Sequence, residues 1–290
     1  MKIAYYPGCT LKGKAKNLEA PALAVAPKLG LELVELERWN CCGTVFSLAS
    51  DDLMRQVAPI RVLVRAQELG FNVLTTLCSM CYNTVKRANQ LVVSDPEKLK
   101  VLNDFMDREQ DYKGKVKVLH FLEVLRDYVG FNRISSKVST PLKLKLATYY
   151  GCLLVRPKSV AIDNPSNPQI MEDLIRALGA EPVETPSKTT CCGSYLTLYK
   201  KELVVERVKE IVEMAALKGA EAIVTSCPLC FYNLDSKQEE ISRLNPSFKP
   251  MPILYFTQVL ALALGEPNSC MFELHRINPV ELLKSKEVLK

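Results

Sequence analysis

The chain is poor in the residues that mark several protein classes. It has one tryptophan and 7% aromatic residues, too few to suggest the stacking platforms on which single-stranded nucleic acid is bound. Its longest apolar run, VLALALG ending at residue 265, falls far short of the roughly 20 residues that cross a bilayer. No signal-peptide pattern follows Met1; Lys2 leads into a short strand-like run, IAYYPG, and a cytoplasmic location is expected. The formal charge of +6 is spread through helices with no single basic tract. It reads as a solvated surface, and no nucleic-acid partner is expected.

What the chain has in excess is cysteine, 11 in 290 residues. A core of this size needs no disulfides to hold it. In a reducing compartment such a count points to metal or redox chemistry. Two of the cysteines are adjacent, Cys41-Cys42 in WNCCGTVFS, and two more are Cys191-Cys192 in TTCCGSYLT. Adjacent cysteines rarely pair with each other, because the ring is strained.

Aligning the cysteines exposes an internal duplication. Cys9 is followed after 31 residues by Cys41-Cys42 and, 35 residues later, by Cys78-Ser79-Met80-Cys81. Cys152 is followed after 38 residues by Cys191-Cys192 and, 34 residues later, by Cys227-Pro228-Leu229-Cys230. Only Cys270 stands outside the scheme, and it reads as a free thiol. The flanks repeat as well: IAYYPGC with LATYYGC, ELGFNVLTTLCSMCYN with LKGAEAIVTSCPLCFYN, VLHFLEVL with ILYFTQVL. The chain therefore divides into a first repeat over 1–130, a linker over 131–142, a second repeat over 143–265 and a C-terminal extension over 266–290. The turn-rich DNPSNP at 163–168 accounts for the longer first spacing of the second repeat.

Each repeat predicts an α/β unit: a small, mostly parallel sheet flanked by helices, the two units related by pseudo-symmetry. Strands are expected over LELVEL (31–36), NVLTTL (72–77), AEPVET (180–185) and AIVTS (222–226). A helix is expected over about 200–217, where Val204, Val208, Ile211, Val212 and Ala215 recur at helical spacing. Gly70 and Gly219 are expected as left-handed caps, and Pro59 as a kink or break in the first long helix. Every cysteine element then follows a strand and precedes a helix, at the carboxyl ends that line the ligand crevice of open α/β sheets.

Five thiolates per repeat is one more than zinc or a four-iron cubane takes. Adjacent thiolates can bind two metal atoms or bridge them, and Gly43 and Gly193 permit an unusual turn beside them. On these motifs, over about residues 1–265, the chain resembles the heterodisulfide reductase B-subunit (HdrB) family, with its cysteine-rich CCG domain in duplicate. That resemblance implies two non-cubane 4Fe–4S clusters, one held by Cys9, Cys41, Cys42, Cys78 and Cys81, the other by Cys152, Cys191, Cys192, Cys227 and Cys230. It implies reductive cleavage of a small-molecule disulfide. The setting it implies is a flavin-based electron-bifurcating complex, in which the partners are the flavin-containing and the ferredoxin-like subunits of heterodisulfide reductase. No CxxCxxCxxxCP run is present, so a feed cluster would lie on another subunit. Two other readings stand beside it: a sulfur-oxidising complex of the same type, and a non-catalytic subunit passing electrons toward quinone.

Beyond the cysteines, His120 and its repeat mate Tyr255 are candidates to donate a proton to a leaving thiolate, or to serve as a polar helix cap. Lys12, Lys14, Lys16, Arg156 and Lys158 follow the first cysteine of each repeat, where basic groups suit an anionic substrate. Of these, Arg156, which repeats nothing in the first half, is the substrate-binding candidate. His275 is expected at the surface.

Overall fold

The computed structural model describes residues 1–44 and 53–289. The first half runs β1 (Lys2–Tyr5), α1 (Gly8–Gly13), α2 (Lys16–Val25), β2 (Glu32–Glu35), α3 (Val57–Glu68), β3 (Val73–Thr76), α4 (Ser79–Ser94), α5 (Pro96–Phe105), β4 (Lys117–His120) and α6 (Phe121–Val124). A short helix, α7 (Phe131–Ser135), follows in the stretch expected as the linker. The second half runs β5 (Lys145–Tyr149), α8 (Ile170–Ala177), β6 (Glu181–Val183), α9 (Lys201–Leu217), β7 (Ala222–Thr225), α10 (Pro228–Leu244), β8 (Ile253–Tyr255) and α11 (Phe256–Ala263). The C-terminal extension adds α12 (Val280–Ser285).

Each half is a four-stranded sheet, ordered β2-β1-β3-β4 in one and β6-β5-β7-β8 in the other. Every pairing is parallel. Parallel strands covered by helices on both faces carry continuous apolar sequence, and β7 is buried at all four positions. The strand order reverses between β1 and β3, and between β5 and β7. That is where successive connections leave on opposite faces and open a crevice at the carboxyl ends. Cys9 and Cys78 follow the two strands flanking the first switch point; Cys152 and Cys227 follow those flanking the second.

The helical periodicity of α9 is realised residue for residue: Val204, Val208, Ile211, Val212 and Ala215 are its buried positions. Gly70 and Gly219 adopt φ of +76° and +84° as helix caps. Pro59 does not kink its helix. It lies in the first turn of α3, where a missing N–H leaves no hydrogen bond unmade, and a 3₁₀ turn over Leu53–Gln56 precedes it.

The two halves pack directly against each other. Helix α2 of the first packs on α11 of the second, and α8 of the second on α7. Thr257 donates to the Leu18 carbonyl at 2.8 Å, and Lys28 to the Leu264 carbonyl at 2.9 Å. The stretch expected as a linker is built into this joint: Ser139 and Thr140 donate their amides to the Ala263 carbonyl, and Leu142 to Leu178.

One asymmetry follows from the unequal spacing of the cysteines. The longer second-half loop lies across α4, where Asn83 holds the Leu153 and Arg156 carbonyls, both at 2.7 Å, and Tyr82 holds that of Val160 at 2.7 Å. The shorter first-half loop does not cover the equivalent face of α10. There Phe231 and Tyr232, the mates of Tyr82 and Asn83, wall a cavity of about 630 Å³ with Lys14, Tyr255 and the 273–276 segment.

Candidate metal centres

In each half three cysteines are buried and two sit at the rim. Cys42, Cys78 and Cys81 are buried while Cys9 and Cys41 are exposed; Cys192, Cys227 and Cys230 are buried, Cys191 exposed and Cys152 half-buried. The inner pairs lie side by side, Cys42 Sγ 3.6 Å from Cys81 Sγ and Cys192 Sγ 3.5 Å from Cys230 Sγ. At the first rim Cys9 and Cys41 are 3.9 Å apart. Thiol contacts run from Cys9 through Cys41, Cys42 and Cys81 to Cys78 in one half, and from Cys152 through Cys191, Cys192 and Cys230 to Cys227 in the other. Among the described residues no three Cys, His, Asp or Glu side chains close on a point that could hold one metal ion.

The thiols within a group compete for protons, since neighbouring sulfurs in a low-dielectric site cannot all ionise. In the first half, contact with Cys41 and Cys81 holds Cys42 low, and the same contacts push Cys41 and Cys81 up, with burial adding to both. In the second, Cys191 is held down to about 2 by hydrogen bonds from Cys152 and Cys192, helped by the Gly193 amide at 3.3 Å. Cys152 rises in consequence, and Cys192 rises to about 12. Cys227 is lowered, first by Cys230 and then by the amides of Cys230 and Leu229 at the start of α10. A helix N-terminus favours a thiolate in this way. Such a group is relieved when cations replace its protons.

The residues present fit an iron–sulfur group: thiolates alone, more than four of them, on a cradle cleared of side chains. Two glycines make that clearance. A Cβ on Gly8 would meet Cys81 Sγ at 2.8 Å, and one on Gly151 would meet Cys230 Sγ at 3.0 Å. Both have positive φ, +71° and +63°, which glycine adopts without cost. Sequence reasoning singled out Gly43 and Gly193, which also have positive φ, but passed over these two. The signal was in the mirrored PGC and YGC, each glycine standing directly before the first cysteine.

The two groups adjoin. Ser79, next to Cys78, hydrogen-bonds Ser226, next to Cys227, with the hydroxyls 2.8 Å apart and both residues buried. Met80 lines a small cavity with Cys152, Cys192, Cys227 and Cys230, and the Tyr195 hydroxyl reaches its sulfur at 3.7 Å. Tyr255 is buried in electrostatic reach of Cys227, Cys78 and Cys230. Burial first, and those sulfurs next, hold its hydroxyl protonated. His120 is fully buried and its pKa falls to about 3, chiefly by desolvation. Its Nδ1 accepts from the Leu122 amide at 3.2 Å, so Nε2 carries the proton and donates to the Leu77 carbonyl at 2.9 Å. Both ring nitrogens are thus engaged with backbone, at the start of α6 and at the residue before Cys78.

Arg156 is exposed and donates to the Thr189 carbonyl at 2.8 Å, two residues before Cys191. Lys12 is committed to Glu19 at 2.9 Å and Glu35 at 2.6 Å. Lys14, Lys16 and Lys158 are exposed. Cys270 is a free, buried thiol whose sulfur reaches the Gln258 carbonyl at 3.7 Å. His275 is not at the surface as expected. It is 8% exposed, edge-on to Phe231 with ring centroids 4.9 Å apart, because the C-terminal segment folds back over α10.

Two copies of the family described as a cysteine-rich domain, CCG, match the chain, over residues 3–86 and 146–235. A Wolinella succinogenes protein named as the membrane anchor subunit of an 8-methylmenaquinol:fumarate reductase is 34% identical over 92% of this chain and 93% of its own. The B subunit of a CoB-CoM heterodisulfide reductase from Methanosarcina acetivorans is 28% identical over 97% and 96%. Among solved structures, a hypothetical protein from Helicobacter pylori superposes with a TM-score of 0.71 at 14% identity. The match covers 95% of this chain and 51% of that one, and it speaks to the fold alone. Among the described residues no helix is long and apolar enough to cross a membrane. The chain belongs to the CCG cysteine-rich family, in the two-domain form it shares with the heterodisulfide reductase B subunits.

Proposed function

We propose that the protein is the disulfide-reducing iron–sulfur subunit of a heterodisulfide reductase-type complex. Each five-cysteine group holds a non-cubane 4Fe–4S cluster, and the substrate is a small-molecule disulfide. The observation that carries this reading is the adjacency of two equivalent five-thiol groups, joined through Ser79 and Ser226. When bound, the two clusters supply one electron each, so the S–S bond is broken and two protons are taken up to give two thiols. The chain's own residues set the stage for that. Ten thiolates hold the irons, Gly8 and Gly151 admit the inner sulfurs, and His120 holds the Leu77 carbonyl and with it the Cys78 turn. Tyr255, a protonated phenol in electrostatic reach of Cys78, Cys227 and Cys230, is our candidate to give a proton to a departing thiolate. Electrons arrive from a ferredoxin-like partner, fed by a flavin protein that bifurcates them.

A second reading, an electron-transfer subunit exchanging with quinone, draws support from the Wolinella succinogenes relative's name. It also draws support from Leu198 and Tyr199, 101% and 79% exposed just beyond Cys191-Cys192. One experiment separates the two. Anaerobically prepared protein is expected to carry about eight irons per chain, from two four-iron clusters, and to oxidise a reduced dye when a disulfide is added. Stoichiometric zinc with little iron would overturn both readings; full iron without disulfide-dependent dye oxidation would leave the relay.

A further inference from the structure

We propose that Tyr6 and Tyr149 are paired positioning residues. Each latches the Cys-Cys-Gly turn of its own half beneath the strand-end cysteine, and through that turn acts on whatever the five sulfurs hold. For a bound cluster the inference rests on the function proposed above.

Both tyrosines stand three residues before the first cysteine of their half and are buried, at 0% and 1% exposure. The Tyr6 hydroxyl donates to the carbonyl of Asn40 at 2.8 Å, and the Tyr149 hydroxyl to that of Thr190 at 2.5 Å. Asn40 immediately precedes Cys41, and Thr190 immediately precedes Cys191. Each bond therefore ties the end of the first strand to the start of the adjacent-cysteine turn. Beneath the first cysteine a second contact recurs. The glycine between ring and sulfur has Tyr6 Cε1 at 3.8 Å and Cys81 Sγ at 2.8 Å from the place of its missing Cβ; the mate has Tyr149 Cε1 at 3.6 Å and Cys230 Sγ at 3.0 Å. Ring, glycine and inner sulfur are thus stacked in the same order twice.

The recurrence is not inherited from identical surroundings. The chain between tyrosine and carbonyl is seven residues longer in the second half (38 against 31 between the cysteines). Trp39 packs edge-on against Tyr6 with ring centroids 6.1 Å apart, and residue 188 of the second half, a lysine, holds Tyr150 and Gly151 by its carbonyl instead. The contact that survives these differences is the one from phenol to turn. Because the hydroxyl's single proton is given to a carbonyl, the phenol positions sulfur without protonating it. Removing the hydroxyl leaves a half-buried carbonyl without its phenol donor and frees the turn while keeping the ring.

The test uses Tyr6→Phe and Tyr149→Phe in the full chain, with Tyr112→Phe as a control. Tyr112 is an equally buried tyrosine whose hydroxyl bonds Asn89 at 2.6 Å. In metal-free protein, iodoacetamide labelling read by mass spectrometry is expected to rise roughly three- to tenfold at Cys41 in Tyr6→Phe and at Cys191 in Tyr149→Phe. The other half should stay unchanged in each variant. In iron-loaded protein each variant is expected to alter the paramagnetic signal and midpoint potential of one cluster and leave the second as it was. Unchanged labelling in both variants would overturn the proposal, as would equal labelling of both halves, or a rise at Cys41 in Tyr112→Phe as large as in Tyr6→Phe. If the wild-type chain loads no iron, the cluster assignment fails, and the labelling arm still decides the latch.

Discussion

Four glycines with the same sign of φ play two different parts. Gly8 and Gly151 face inner sulfurs at distances no real Cβ tolerates or tolerates only by displacement, whereas Gly70 and Gly219 have nothing within 4 Å. Gly8→Ala is therefore expected to push Cys81 out of its group and to halve the iron bound per chain, with Gly151→Ala milder because its contact is longer. Gly219→Ala should cost about 1–2 kcal/mol of stability, the penalty of a Cβ in left-handed backbone, with iron content untouched. Metal analysis beside thermal unfolding of the three variants checks the contrast. The caps were legible in the sequence because a glycine closing a periodic helix is a local signal. The sulfur-facing glycines were not, since Gly8 and Cys81 are 73 positions apart and only the fold brings them together.

The C-terminal extension is the element least well read from sequence. It lies outside the repeat, so no mate reports on it, and His275 was assigned to the surface. In the structure its Nε2 meets the Gln258 amide at 2.8 Å, and Asp235 of α10 accepts the amides of Arg276 and Ile277 at 2.7 and 3.0 Å. Burial lowers the His275 pKa to about 4, against about 6.5 in an unfolded chain. The folded state thus refuses a proton that the unfolded state takes. Stability is intact above about pH 6.5 and falls as pH drops toward 4, by up to roughly 3 kcal/mol. The melting temperature should decline through that window, and His275→Gln should flatten the decline; an unchanged slope would show that the segment is not held this way. His120 adds a similar loss reaching to lower pH, its pKa being about 3.

At the scale of the molecule, duplication makes the halves alike and unequal loop length makes them differ. Asn83 carries that difference, holding two carbonyls of the longer loop. Asn83→Ala is expected to cost about 1–2 kcal/mol, from two part-buried hydrogen bonds lost, and to raise iodoacetamide labelling at Cys152, the neighbour of Leu153, more than at Cys9. Equal labelling would mean that the loop is held by other contacts. The distribution of ten cysteines over two repeats, the parallel α/β character and the switch-point location were all legible in the sequence itself. Repeat spacing and hydrophobic period are local properties, and strand–helix alternation allows few topologies. What only the tertiary structure decided is how the copies meet: Ser79 against Ser226, Tyr6 and Tyr149 on their turns, and a cavity beside α10 where α4 is covered. Each depends on side chains far apart in the chain arriving at one point, and no spacing or period in the sequence encodes that distance.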